Sequence, residues 1–212
     1  VMMHIAELYD PLMKIIEVLG TFTFVVSGIR HAAAKHFDWF GGFVCGIAVA
    51  IGGGTIRDVM LGVTPFWMTS SMYMTCAVLA LFFVLIFSHY LRRLDNAWFI
   101  FDTLGLGLFT IAGIQKTLDC GHPFWVAIIM GCITGSAGGV IRDLLLNNVP
   151  VIFQKEIYAT ACVCGGFLYW GLTLLGLDTT TTVVITFVFI CAMRLLAVRY
   201  HIQFPSLREE DM

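Results

Sequence analysis

Apolar residues along this chain fall into seven long runs, at about residues 12–29, 39–61, 66–88, 98–115, 123–146, 157–176 and 182–198. Each run meets or approaches the roughly 20 apolar residues that a helix needs to cross a bilayer. The connections are short. The pattern predicts an all-α polytopic membrane protein with seven transmembrane helices, in a single membrane domain over residues 1–212. Basic residues gather unevenly at the ends of the runs. Arg30 and Lys35 follow the first, Arg92 and Arg93 the third, Lys155 the fifth, and Arg199 and Arg208 the seventh, whereas the other side offers only Lys14 and Lys116. Because Lys and Arg stay on the cytoplasmic side, the N-terminus is expected outside and the C-terminus in the cytoplasm, in a multi-pass inner-membrane protein. The polar tail over 199–212, ending Arg208-Glu209-Glu210-Asp211, is expected to fray. The start, Val1-Met2-Met3-His4, lacks the charged region that opens a signal peptide, so the first run is expected to remain a helix of the mature chain.

Two places depart from this pattern in the same way. Ile51-Gly52-Gly53-Gly54-Thr55-Ile56-Arg57-Asp58 and Ala137-Gly138-Gly139-Val140-Ile141-Arg142-Asp143 each set glycines and then an Arg-Asp pair inside an apolar run. Glycine costs about 1 kcal/mol per residue in a helix interior, and a charged side chain at membrane depth costs a few kcal/mol or more. The second and fifth helices are therefore expected to be broken at these glycines. The two stretches also belong to an internal repeat. Shifting the chain by 85 positions, from Arg57 to Arg142, superposes Leu19-Gly20 on Leu104-Gly105, Phe24 on Phe109 and Gly28-Ile29 on Gly113-Ile114 without a gap. The same register brings Gly46 to Gly131, Gly53-Gly54 to Gly138-Gly139, Pro65 to Pro150 and Tyr73 to Tyr158. Each unit holds three helices, an odd number, so the second must enter the membrane in the opposite sense. Two inverted three-helix repeats follow, about 10–90 and 95–176, with an extra helix at about 182–198. Folds of this kind place solute or ion sites where the broken helices meet.

The chemistry of the breaks reads in more than one way. Thr55 suits an N-cap with Asp58 three residues on, a capping-box-like pattern. Neighbours on a helix do not face each other, so Arg57 and Asp58 are poorly placed to neutralise one another. Across a pseudo-two-fold axis Arg57 would instead meet Asp143, and Arg142 would meet Asp58. Alternatively the charges line a wet cavity, the setting in which irregular backbone is tolerated at membrane depth. Carbonyls freed before Gly53 and Gly138 would coordinate a cation, as in selectivity filters. Half-helix N-termini near Thr55 and Val140 would instead favour a carboxylate. Both readings use the same backbone and stay open. The hydroxyls of Thr21, Thr23, Ser27, Thr103, Thr110 and Ser136 either line the path or bond a carbonyl one turn back. Glu17 and Asp102 share the repeat register, each near the start of the first helix of its unit.

Composition narrows the function classes. The chain is 59% hydrophobic and 12% charged, with mean hydropathy +0.90, against about 25% charged residues in soluble domains. Little length remains for a soluble domain, and without a basic patch no nucleic-acid partner is expected. The seven cysteines, Cys45, Cys76, Cys120, Cys132, Cys162, Cys164 and Cys191, form no CxxC pair and read as small packing residues. A retinal site needs a lysine in the last helix, which 182–198 lacks, and the six histidines lie at ends or in loops, away from a transmembrane haem. No nucleophile with its base, phosphate loop or metal-ligand cluster occurs. Neither an enzyme, a cofactor nor a metal site is expected.

Three segments carry a resemblance to a known family: Gly-Thr-Phe-Thr-Phe-Val-Val-Ser-Gly at 20–28, Gly-Gly-Gly-Thr-Ile-Arg-Asp at 52–58 with Pro65, and Gly-Gly-Val-Ile-Arg-Asp at 138–143 with Pro150. Over about residues 10–198 the chain resembles the prokaryotic trimeric intracellular cation (TRIC) channels, and equally a related bacterial inner-membrane family described as glycine transporters. The channel resemblance implies a homotrimer among membrane lipids, each protomer with its own pore, bounded by the first, second, fourth and fifth helices. It also implies passive conduction of monovalent cations, K⁺ and Na⁺. Where animal members carry a Lys-Glu-Val lipid-binding motif, this chain reads Arg142-Asp143-Leu144, a departure that speaks against phosphoinositide regulation. On this reading the ion pathway runs past Gly52, Gly53, Gly54, Thr55, Ser27, Ser136, Gly138 and Gly139. Asp58 and Asp143 would draw cations, while Arg57 and Arg142 shape the field. The alternative is a secondary transporter of a small zwitterion such as glycine; a third reading makes the breaks packing devices only.

Overall fold

The computed structural model describes residues 11–93, 97–154 and 156–203. The first ten residues, Lys155 and the tail beyond Gln203, with Arg208, lie outside the described residues, as do the side chains of Arg92 and Arg93. The elements are helices: α1 (Pro11–Ala34), α2 (Trp39–Met60), the short α3 (Phe66–Thr69), α4 (Met72–Arg93), α5 (Ala97–Asp119), α6 (Phe124–Leu145), α7 (Ala159–Leu174) and α8 (Thr179–Arg199), with a 3₁₀ turn at Val151–Phe153 between α6 and α7. Six of them are long and apolar enough to cross a membrane, and the sixth apolar run becomes the shorter α7, of 16 residues. The third run divides, because Ser70 in extended conformation separates α3 from α4.

Helices α1, α2, α5 and α6 form the centre, each packed on the next around the ring, with α4 laid on α1 and α7 and α8 closing the other flank. The peripheral helices present apolar side chains outward, including Leu79, Phe82 and Ile86 on α4 and Val184 and Val188 on α8. In water such faces would be a liability; in a bilayer they are the solvent-facing surface. The chain is a multi-pass membrane protein.

Both central glycine-bearing helices run on without interruption. α2 continues through Gly52, Gly53 and Gly54, and α6 through Gly138 and Gly139, so the expected breaks are absent. The reason lies in a neighbour rather than in the backbone itself. A Cβ on Gly53 would strike the carbonyl of Thr134 in α6, and a Cβ on Gly138 would strike the carbonyl of Val49 in α2. Thr134 follows Val49 by the repeat distance, so the two contacts are reciprocal. The glycines let two helices touch backbone to backbone, as small residues do at membrane helix crossings. Left-handed backbone appears only beyond the helices, at Gly62 (φ 68°) after α2 and at Asn147 (φ 54°) after α6, where each helix ends.

Candidate functional site

The end of α2 holds a buried ionic cluster. Arg57 and Asp58 are both 0% exposed, and Glu17 of α1 is 1% exposed. Arg57 Nε donates to Asp58 Oδ1 at 2.7 Å, and its Nη2 reaches Glu17 Oε1 at 3.4 Å. The second oxygen of Asp58 accepts the Phe66 N–H at 2.7 Å, anchoring the first residue of α3. Lys116, from the end of α5, lies 3.1 Å from Asp58 Oδ1. The Tyr73 hydroxyl of α4 donates to Glu17 Oε2 at 2.7 Å.

The end of α6 repeats the design. Arg142 Nε donates to Asp143 Oδ1 at 2.9 Å, and Arg142 Nη1 donates to Asp102 of α5. Asp143 Oδ2 accepts the Val151 N–H at 3.0 Å, anchoring the first residue of the 3₁₀ turn. Glu17 and Asp102, Arg57 and Arg142, Asp58 and Asp143, and Phe66 and Val151 all stand one repeat apart. The outer partners differ. Tyr158, the counterpart of Tyr73, makes no hydrogen bond to Asp102; Arg194 of α8 comes within 3.9 Å of Asp102 Oδ2 instead. Arg194 also donates to the Ile157 carbonyl at 2.9 Å and packs over the rings of Phe99 (5.0 Å) and Tyr158 (4.7 Å).

The clusters lie at opposite ends of the bundle. From Glu17, α1 runs almost four turns to His31, about 20 Å at the helical rise, and His31 packs edge-on against Trp98 near the start of α5. Between the ends, α2 and α6 meet at Gly53 and Gly138, flanked by the stacked rings of Phe24 and Phe109, whose centroids are 5.2 Å apart. Among the described residues each buried cluster sets acids against bases: Glu17 and Asp58 against Arg57 and Lys116, Asp102 and Asp143 against Arg142 and Arg194, with the half-exposed Glu156 also 3.4 Å from Arg194. Pairing is what makes burial tolerable, since an unpaired ion out of water costs several kcal/mol.

Several expectations change at this level. Arg57 pairs with its own neighbour Asp58, not with Asp143, and Arg142 pairs with Asp143, not with Asp58. In each pair the backbone N–H of Phe66 or Val151 holds the second carboxylate oxygen while the first accepts from the neighbouring arginine Nε. Thr55 is not an N-cap. Its hydroxyl donates to the Ile51 carbonyl at 2.6 Å and accepts the Trp67 indole N–H at 3.0 Å. With both helices continuous, neither freed carbonyls nor half-helix N-termini are available to a ligand. The Gly52 position meets the Ile141 side chain, Gly54 the Phe66 ring and Gly139 the Tyr158 hydroxyl. Ser136 bonds the Cys132 carbonyl at 2.6 Å, one turn back, whereas Ser27 reaches the Trp98 carbonyl across to α5 at 3.4 Å. Lys116, Tyr73 and Arg194 were not anticipated as members. Arg194 carried a legible signal, a lone arginine inside an apolar run.

The sequence model of the glycine transporter family matches the chain twice, over residues 14–89 and again over 99–173. The chain belongs to this family. The two matched stretches begin one repeat apart. A UPF0126 membrane protein of Vibrio cholerae is 36% identical over 199 residues, 92% of this chain and 82% of that protein. The UPF0126 inner membrane protein YadS of Escherichia coli is 33% identical over 200 residues, covering 92% of this chain and 96% of that protein. Among solved structures, the TRIC trimeric intracellular cation channel orthologue of Rhodobacter sphaeroides superposes with a TM-score of 0.85 at 30% identity, covering 91% of this chain and 100% of that one. A second TRIC cation channel superposes at 0.81 with 31% identity over 92% of this chain and 97% of that one. The chain is thus similar both to a family described as glycine transporters and to solved structures described as cation channels.

Proposed function

We propose that the chain is a passive monovalent cation channel of the inner membrane, with potassium its principal ion. The observation that carries this reading is the likeness to TRIC channels over nine-tenths of the chain at about three residues in ten identical. The assembly is a homotrimer with one pore in each protomer, between α1, α2, α5 and α6. The path runs from the Arg57–Asp58 cluster, past Gly52, Gly53, Gly54 and Thr55, then past Gly138, Gly139, Ser136 and Ser27 to the Arg142–Asp143 cluster. The reciprocal contacts of α2 and α6, and the double match to the family, support reading the two units as inverted repeats, with the N-terminus outside and the C-terminus in the cytoplasm.

In this conformation the backbone contacts at Gly53 and Gly138 close the centre. Conduction then requires α2 and α6 to separate there, a movement that small residues permit because little side-chain packing must be undone. The acids act in the same step. Asp58 is bound to Arg57 and Lys116, and release of Lys116 would give it unbalanced negative charge at the mouth, where fields are focused by low-dielectric walls.

Current through purified protein in a planar bilayer under a KCl gradient tests the proposal. Discrete openings that reverse near the potassium potential are expected, and the Asp58→Asn, Asp143→Asn pair should lower cation conductance. Unchanged conductance in that variant would remove both acids from the mechanism. A second reading, transport of a small zwitterion, is favoured by the family's description as glycine transporters. Silence in the bilayer with saturable glycine uptake by the same proteoliposomes would install it in place of the channel.

A further inference from the structure

The two repeats differ where the third helix of each meets the other two. In the second repeat α7 packs on α6, and aromatic side chains fill the junction. The rings of Phe124 and Trp170 stack with centroids 6.0 Å apart, and the Tyr169 hydroxyl donates to Gln115 of α5. One repeat earlier the same four positions are Trp39, Leu85, Val84 and Arg30. There α4 lies on α1 and scarcely meets α2. Between the three helices a cavity of about 460 Å³ stays open, lined by Arg30, Asp38, Trp39, Gly42, Val84 and Leu85 among others. Gly42 stands where the second repeat has Ala127, so its wall is one methyl deeper.

We infer that this groove is a binding site for phosphatidylethanolamine, with the phosphate on Arg30, the amine on Asp38 and one acyl chain between α2 and α4. Polarity runs along the groove in the sense that such a molecule needs. Arg30 lies one turn from the end of α1 and directs its Nη2 to the carbonyl of Leu91, in the last turn of α4, at 3.1 Å. Asp38 caps the first turn of α2. Both charges therefore stand at the face of the bundle where α1 and α4 end and α2 begins. Val84 and Leu85 lie about two turns deeper along α4. Trp39, 67% exposed, marks the mouth as the level of the headgroups, where tryptophan is enriched.

The two charges at the mouth have opposite sign, and they select the head group. A guanidinium offers five N–H donors in a planar fork, so it can keep the Leu91 carbonyl and still meet phosphate oxygens. Asp38 Oδ1 accepts the Gly41 N–H at 2.6 Å. A carboxylate has about four acceptor sites on its two oxygens, so it can cap the helix and take an ammonium at once. A glycerol head group brings no cation to Asp38. The site is separate from the Arg142-Asp143-Leu144 stretch, which belongs to α6 and lines no part of the groove. It does not depend on whether the chain conducts ions or carries a zwitterion.

Native mass spectrometry of the purified full chain tests the site, with phosphatidylethanolamine and phosphatidylglycerol of the same acyl chains titrated in turn. One phosphatidylethanolamine per protomer should bind about tenfold more tightly than phosphatidylglycerol, the worth of one hydrogen bond to a charged group. Arg30→Gln, which puts there the residue of the second repeat, should weaken both lipids by a similar factor. Asp38→Asn can still accept the Gly41 N–H and should erase the preference between them. Leu85→Trp supplies the ring that the second repeat uses and should displace the lipid. Equal affinity of the wild type for the two lipids, or undiminished binding by Arg30→Gln, would overturn the inference. So would a Leu85→Trp protein that keeps its lipid but no longer assembles, since a second copy of the chain would then cover the groove. Should Leu85→Trp fail to fold, the other two variants still decide, because Asp38 is exposed and Arg30 is not fully buried.

Discussion

At the scale of single residues, the buried arginines organise both ends of the molecule. Arg142 is 1% exposed and binds two carboxylates, Asp102 and Asp143. Removing one partner from such a cluster leaves uncompensated charge in the interior, which costs about 3–5 kcal/mol. Arg142→Ala should therefore lower the unfolding midpoint in detergent sharply, and Arg142→Ala combined with Asp102→Asn should recover part of the loss. A double variant no more stable than the single would mean that the Asp102 charge is compensated elsewhere. The Arg-Asp pairs were legible in the sequence because charge in an apolar run is costly and was present twice. Their partners were less so. Lys116 sits at the end of its run and serves equally well as a topology signal, while the pairing of Arg57 with adjacent Asp58 depends on a backbone N–H eight residues away. A rule about which helix positions face each other cannot see that.

At the scale of elements, the glycines carry the contrast between sequence and structure. Read along one helix, Gly52, Gly53 and Gly54 are weak helix formers and predict a break. Read across two helices, Gly53 is the point where α2 lies on the Thr134 carbonyl. Periodicity located the helices well because burial in lipid demands long apolar runs whatever their neighbours. It could not supply the crossing, which depends on a residue 81 positions away in α6. Substitution separates the two accounts by sign. Glycine to alanine in an unconstrained helix stabilises by roughly 0.5–1 kcal/mol, and Gly171 of α7, whose Cβ position meets nothing within 4 Å, should follow that rule. Gly53→Ala should do the opposite, because the new methyl meets backbone that cannot rotate aside. Unfolding midpoints of the two variants in the same detergent give the answer. Stabilisation by both would mean that α2 and α6 are free to part at no cost, and the crossing would lose its place in the closed state.

At the scale of the whole molecule, the repeat is visible both in sequence and in contacts: an 85-residue shift relates the ionic clusters, the crossing glycines and the turns that end α2 and α6. What the repeat does not foretell is why an eighth helix is needed, and the answer begins with one methylene. Glu17 is long enough to accept the Tyr73 hydroxyl as well as Arg57. Asp102 is shorter, and the equivalent Tyr158 hydroxyl is buried without a hydrogen-bond partner. Arg194 stands in from α8, sharing Asp102 with Arg142 and covering the Tyr158 ring. The extra helix thus completes the half of the repeat whose acid is too short. Arg194→Ala should then destabilise the protein, by about 3 kcal/mol or more if the loss resembles that of other buried charge partners. Asp102→Glu restores the length found in the first repeat, bringing the carboxylate to Tyr158. Alone, that change must fit an extra methylene beside Arg194 and should be neutral or harmful. In the Arg194→Ala background it should raise the unfolding midpoint, because a hydrogen bond from Tyr158 replaces the missing guanidinium. Opposite signs of one substitution in two backgrounds are the signature of direct coupling. The same effect of Asp102→Glu in both would show that α8 is held by its apolar face alone, and that Tyr158 and Arg194 do not substitute for one another.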